Sequence, residues 1–131
     1  MVNEDKGKLI PLQEPTFYIL LSLADGEKHG YAILKEVNAL SGGRIRLSSG
    51  TLYTALSRLL ADGFIERAAE AEPPPEGDAT RSSPPGRRRK MYEMTQAGRL
   101  LLVAETERMR SLVRTAHLRL GHEGKLAEEA G

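Results

Sequence analysis

The chain contains no cysteine and no tryptophan. Without cysteine there is no disulfide, no thiolate metal site and no cysteine nucleophile, which fits a reducing compartment. Without tryptophan there is no indole face on which a flat aromatic ligand could stack. Net charge is nearly absent too. Nineteen Lys and Arg against 18 Asp and Glu leave +1, so bulk charge does not announce a nucleic-acid binder. No apolar run approaches the ~20 residues of a membrane span. The polar stretch from Met1 to Lys8 lacks the apolar centre of a signal peptide. A soluble cytoplasmic protein with no membrane partner is expected.

The charge that is present is segregated. Arg44, Arg46 and Arg58 stand in a stretch with no acid until Asp62, and Arg87, Arg88, Arg89 and Lys90 form a run of four. Between them lie Glu66, Glu70, Glu72, Glu76 and Asp78, relieved by Arg67. Such segregation builds a local positive surface on a nearly neutral protein.

One stretch organises the rest. Read as a helix over 49–62, it gathers Leu52, Leu56, Leu59 and Leu60 on one side at about 100° per residue. Thr54, Ser57, Arg58 and Ala61 gather on the other, with Tyr53 at the border. The leucines ask for a core. Hydroxyls and a guanidinium without carboxylates suit a nucleic-acid groove. Ser48 or Ser49 is the expected N-cap, and Asp62-Gly63 the stop.

Two helices precede it. Pro15 suits a first turn, and Phe17, Tyr18, Ile19, Leu20, Leu21 and Leu23 follow until Asp25-Gly26. A second helix runs from His29 or Gly30 to Leu40, with Tyr31, Ile33, Leu34, Val37 and Leu40 inward. His29 is expected to cap it, Gly30 to permit a tight start, and Tyr31 to pack in the core. Arg44-Ile45-Arg46-Leu47 alternates like a short strand.

After the central helix, Phe64-Ile65-Glu66-Arg67 and Arg88 to Met94 read as two strands of an antiparallel hairpin. Residues 69–86 between them hold five of the seven prolines and read as a flexible loop. Thr95 is the expected N-cap of a last helix, 95–121. There Leu102, Thr106, Met109, Val113, Ala116 and Leu120 recur at heptad spacing. The fold class is mainly α with a small β-hairpin: a winged helix-turn-helix over 12–94 plus a long C-terminal dimerisation helix. Residues 1–11 form an N-terminal arm and 122–131 a polar tail.

The sequence resembles PadR-like winged-helix transcription regulators of the shorter class, with one C-terminal helix. The matching pieces are Phe17 to Leu23, His29-Gly30-Tyr31-Ala32-Ile33, Ser49 to Leu59, Gly63-Phe64-Ile65 and Arg89 to Gly98. The long proline-rich loop departs from a minimal wing. The resemblance implies a homodimeric repressor on double-stranded DNA, with a small hydrophobic or aromatic effector among its partners, as many members of the family respond to a small molecule.

The DNA-contacting residues expected are Ser49, Thr51, Tyr53, Thr54, Ser57 and Arg58 on the recognition helix, with Arg89 and Lys90 at the wing. Dimerisation is assigned to Phe17, Leu21, Leu102, Met109, Val113, Ala116 and Leu120. Of these, Phe17, Leu21, Leu102 and Met109 are also candidate walls of an effector cavity. There is no carboxylate pair, phosphate-cradling glycine loop or Ser/His/Asp set, and His117 and His122 do not share a helix face. No enzyme, cofactor or metal site is expected. The competing reading is a winged-helix protein-interaction module that does not bind DNA.

Overall fold

The computed structural model describes residues 10–71 and 89–121. Helix α1 spans Glu14–Ser22, strand β1 Lys28–His29, helix α2 Gly30–Leu40, helix α3 Ser49–Ala61, strand β2 Ile65–Ala71, strand β3 Arg89–Met94 and helix α4 Gln96–Leu120. The chain forms two compact units. One is Leu12–Leu102, and the described part of the other comprises residues 10–11 and α4 from Val103 onward.

Local chemistry sets the helix starts. Pro15 stands in the first turn of α1, where no amide donor is needed. The His29 Nδ1 accepts from the Ala32 amide at 3.3 Å, capping α2 as the sequence suggested. Ser48 Oγ accepts from the Thr51 amide at 3.1 Å and donates to Thr51 Oγ1 at 2.9 Å, capping α3. Thr95 Oγ1 accepts from the Gly98 amide at 3.1 Å, capping α4. Past α3, the Gly63 and Phe64 amides donate back to the Leu60 and Leu59 carbonyls, which turns the chain sharply into β2.

The core of the first unit is aliphatic. Ile19, Leu20 and Leu23 come from α1 and its cap, Ile33 and Val37 from α2, and Leu52, Leu56 and Leu59 from α3. Phe64, Ile65, Tyr92, Leu101 and Leu102 close it. Leu52, Leu56 and Leu59 of the α3 leucine face are therefore buried as their periodicity requires, with Leu60 half-buried at its edge.

Five expectations need correction. The sheet has three strands, in the order β1-β3-β2, rather than a bare hairpin. Arg44–Leu47 is not a strand. The Ile45 amide donates to Ser41 Oγ at 2.9 Å, and the free edge of β3 is taken by β1, so alternation there has no ladder to join. Tyr31 is not in the core but 65% exposed, and Leu40, at the last turn, is exposed as well. Tyr31 lies about 200° around the helix from the buried Ile33, and Lys35 Nζ sits 5.3 Å from its ring centroid. Helix α1 stops at Ser22, short of Asp25-Gly26, with the Leu23 and Ala24 amides turned onto the Leu20 and Leu21 carbonyls. Strand β2 also continues through Ala71, into the stretch assigned to the loop, whose remainder, 72–86, lies outside the described residues. The N-terminal arm up to Leu9 and the tail 122–131 lie outside them as well.

In the second unit, α4 carries Leu112, Val113, Leu118 and Leu120, each about half or more exposed. Glu105 is buried, and Arg108 binds its carboxylate at 2.7 and 2.8 Å.

Candidate nucleic-acid interface

The outer face of α3 presents Ser49, Thr51, Tyr53, Thr54, Ser57 and Arg58, all exposed. The cap at Ser48 engages the Thr51 amide and hydroxyl, so the first turn is ordered while its side chains face outward. No carboxylate appears on the helix before Asp62, its C-cap.

Tyr53 is held in place by α2. A Cβ built on Gly30 would lie 2.4 Å from the Tyr53 hydroxyl. The absence of a side chain at Gly30 thus lets the phenol of α3 lie against the first turn of α2, which joins two separate pieces of the sequence pattern. Gly30 was expected only to ease a helix start.

The arginine cluster is partly neutralised. Arg44 pairs with Glu14, whose carboxyl is held below its ordinary range by that hydrogen bond. Arg46, Arg58 and Lys90 are exposed, and the Arg89 side chain lies outside what is described.

The sheet register separates charges in a way that spacing alone does not reveal. Across the three strands, Lys28 stands opposite Tyr92, and Tyr92 opposite Arg67. Directly paired residues share a face, and Lys90, two before Tyr92, lies on the same side. The other face pairs Glu66 directly with Glu93. The hydrogen bond shared with Glu66 pushes the Glu93 carboxyl upward, and desolvation and the fields of Glu66 and Glu27 add to it. Burial raises the Tyr92 phenol, the neighbouring Tyr53 adds to this, and Arg67 works against it.

The Glu66–Glu93 pair has a consequence for stability. A carboxyl raised in the folded state stabilises the fold at acid pH, and that contribution is lost as pH rises through the raised value. At pH 7 the two carboxylates repel. Glu66→Gln is expected to raise the melting temperature at pH 7 and leave it nearly unchanged at pH 4. Melting curves across that range check it, and an equal shift at both pH values would contradict the pairing.

The residues assigned to dimerisation are distributed unevenly. Leu102 is buried in the first unit, and Phe17 and Leu21 are half-buried there. Met109 is partly exposed, and Val113, Ala116 and Leu120 are exposed. A shallow groove of about 370 Å³ is lined by Leu34, Lys35, Asn38, Ala39, Arg46 and Leu47 and includes none of the expected cavity walls. Among the described residues no group of His, Asp and Glu is placed to hold a metal. No helix described is long and apolar enough to cross a membrane.

A capped helix with a carboxylate-free outer face, beside a small twisted sheet, is the arrangement of a winged helix-turn-helix. Residues 19–104 match the sequence profile of the transcriptional regulator PadR-like family. The chain belongs to the PadR-like family. A transcriptional regulator of Mycobacterium tuberculosis, Rv3488, is 34% identical over 100 residues, which cover 74% of this chain and 77% of that one. A PadR family regulator from Clostridium difficile superposes with a TM-score of 0.61 at 24% identity, over 83% of this chain and 100% of the other. Bacillus subtilis PadR, solved in complex with operator DNA, superposes with a TM-score of 0.54 at 23% identity, over 70% of this chain and 46% of the other. PadR-like proteins are transcription regulators, not enzymes, and this chain is read as one.

Proposed function

We propose that this PadR-like regulator is a homodimeric repressor of a pseudo-palindromic operator. Helix α3 enters the major groove, the basic start of β3 lies on the phosphate backbone, and a small hydrophobic or aromatic effector releases the complex. The observation that carries the reading is the exposed, carboxylate-free face of α3, set opposite the buried Leu52, Leu56 and Leu59. The operator complex of Bacillus subtilis PadR supports DNA as the partner. The exposed Leu112, Val113, Leu118 and Leu120 of α4 support a second copy as their cover. The first turn of α3, with Ser49, Thr51 and Thr54, reads base edges, and Arg58 near its end anchors a phosphate.

The test is a salt titration of binding to duplex DNA. Each phosphate contact contributes about 0.9 to the slope of log affinity against log salt. Arg58→Ala with Lys90→Ala is expected to lower that slope by about 1.8 and to weaken binding at low salt by about tenfold or more. Wild-type protein that shows no duplex binding at low salt would favour the protein-interaction module instead.

A further inference from the structure

The sheet is electrostatically two-sided, and its cationic side belongs to the same corner of the molecule as Tyr53. Arg67 and Lys90 share a face with Tyr92, while Glu66 and Glu93 occupy the reverse. Glu27, just before β1, adds its field to that reverse side. Tyr92 stands between Lys28 of β1 and Arg67 of β2, and the Tyr53 hydroxyl lies against Gly30, the residue that directly follows β1, so α3 meets the sheet at this row. Tyr53 is 46% exposed and lodged against Gly30, so its hydroxyl is positioned rather than free to wander. Arg67 is exposed, and its guanidinium has five donors, enough to serve more than one acceptor. Lys28, at the far end of the row, is already held by Asp25 at 2.5 Å.

We propose that a DNA phosphate seats between α3 and the cationic face of the sheet, held by the Tyr53 hydroxyl and the Arg67 guanidinium, with Lys90 further along the same face. This rests on the DNA-binding reading above and extends it to Arg67. The acidic reverse side repels the backbone, and beyond the buried Ile65 and Tyr92 the exposed Arg67 and Lys90 are the part of the opposite face that meets a phosphate strand. Arg67 is therefore a backbone contact between the recognition helix and the wing, and fixes how α3 is presented to the groove. Nothing in the spacing of Arg67, which stands among acids in the sequence, marks it for this role.

A fluorescent duplex of random sequence is a sufficient probe, because phosphate contacts are independent of sequence. Arg67→Ala is expected to weaken binding several-fold at low salt and to reduce the salt slope by about 0.9. Arg67→Lys should restore most of the slope, and Tyr53→Phe should weaken binding with the slope retained, since the hydroxyl carries no charge. Glu66→Gln, on the opposite face, should not weaken binding. Circular dichroism of each variant shows whether the fold is kept. If the wild type binds and folded Arg67→Ala matches it in affinity and slope, the phosphate seat is overturned while the DNA reading stands. If the wild type itself does not bind duplex DNA, the DNA reading and the seat that rests on it fail together.

Discussion

Replacing Gly98 by alanine is expected to lower the melting temperature of this protein by about 12 °C or more. A Cβ at that position would lie 2.0 Å from the Phe64 carbonyl oxygen, 3.0 Å from the carbon of the same group and 2.9 Å from Met94 Cγ. The methionine can swing aside, but the carbonyl cannot. Phe64 O already accepts the Thr95 amide at 3.1 Å, and the Phe64 amide donates to Leu59 O at 3.0 Å. Relief would require α4 to back away from the end of α3, breaking the Thr95 hydrogen bonds and exposing Leu101 and Leu102. Overpacking against fixed backbone costs about 3 kcal/mol or more. In a domain of about 100 residues each kcal/mol is worth roughly 4–8 °C. Thermal unfolding by circular dichroism checks it. A melting temperature within about 3 °C of wild type would mean that the close approach is not maintained in solution. Gly30 offers a contrast. There the obstructing atom is the end of the Tyr53 side chain, so a methyl group would displace a phenol rather than a backbone.

The second large effect is expected at α4. Val113→Asp with Leu120→Asp should produce a monomer that folds normally, because those side chains are 54% and 48% exposed and contribute little to the protomer. In a symmetric dimer each substitution appears twice, and carboxylates facing one another without a partner oppose association. Sedimentation measures the state. The consequence for DNA is larger than the change at the helix. One recognition helix reads too few base pairs to stand out against a genome, and two half-sites about 34 Å apart roughly double the specific free energy. Losing half of it weakens operator binding by about a thousandfold or more. A double variant that remains dimeric would sink the assignment of this helix face to self-association.

Much of the architecture could be read from local chemistry. Ser48 and Thr95 mark helix starts because a hydroxyl must satisfy amides that the helix leaves open. The leucines of α3 mark its buried side because their spacing admits only one helical face. What escaped was non-local. Strand β1 is two residues long, and its partner, β3, lies about 60 residues further on, so no periodicity could disclose it. Arg44–Leu47 alternates correctly, yet alternation is only permission to pair, and Ser41 claims one of its amides. Tyr31 was misplaced because an aromatic in an apolar stripe is counted inward, although Ile33 and Val37 define the inner face. The helix that begins at Ser49 and its exposed polar face were legible in outline. The division of charge between the two faces of the sheet was not, because it depends on which residues of β2 and β3 stand opposite each other.

The Thr95 corner also bears on how a signal could travel. Its amide and hydroxyl bind the Phe64 and Gly63 carbonyls, directly after the helix that faces outward with its polar side. The first turn of α4 and the last turn of α3 are thereby soldered together by one residue. The start of α4 and the end of α3 are thus joined directly through Thr95, with no intervening side chain. Thr95→Val would remove the hydroxyl's bonds to the Gly63 carbonyl and the Gly98 amide while leaving every residue on the outward face of α3 unchanged.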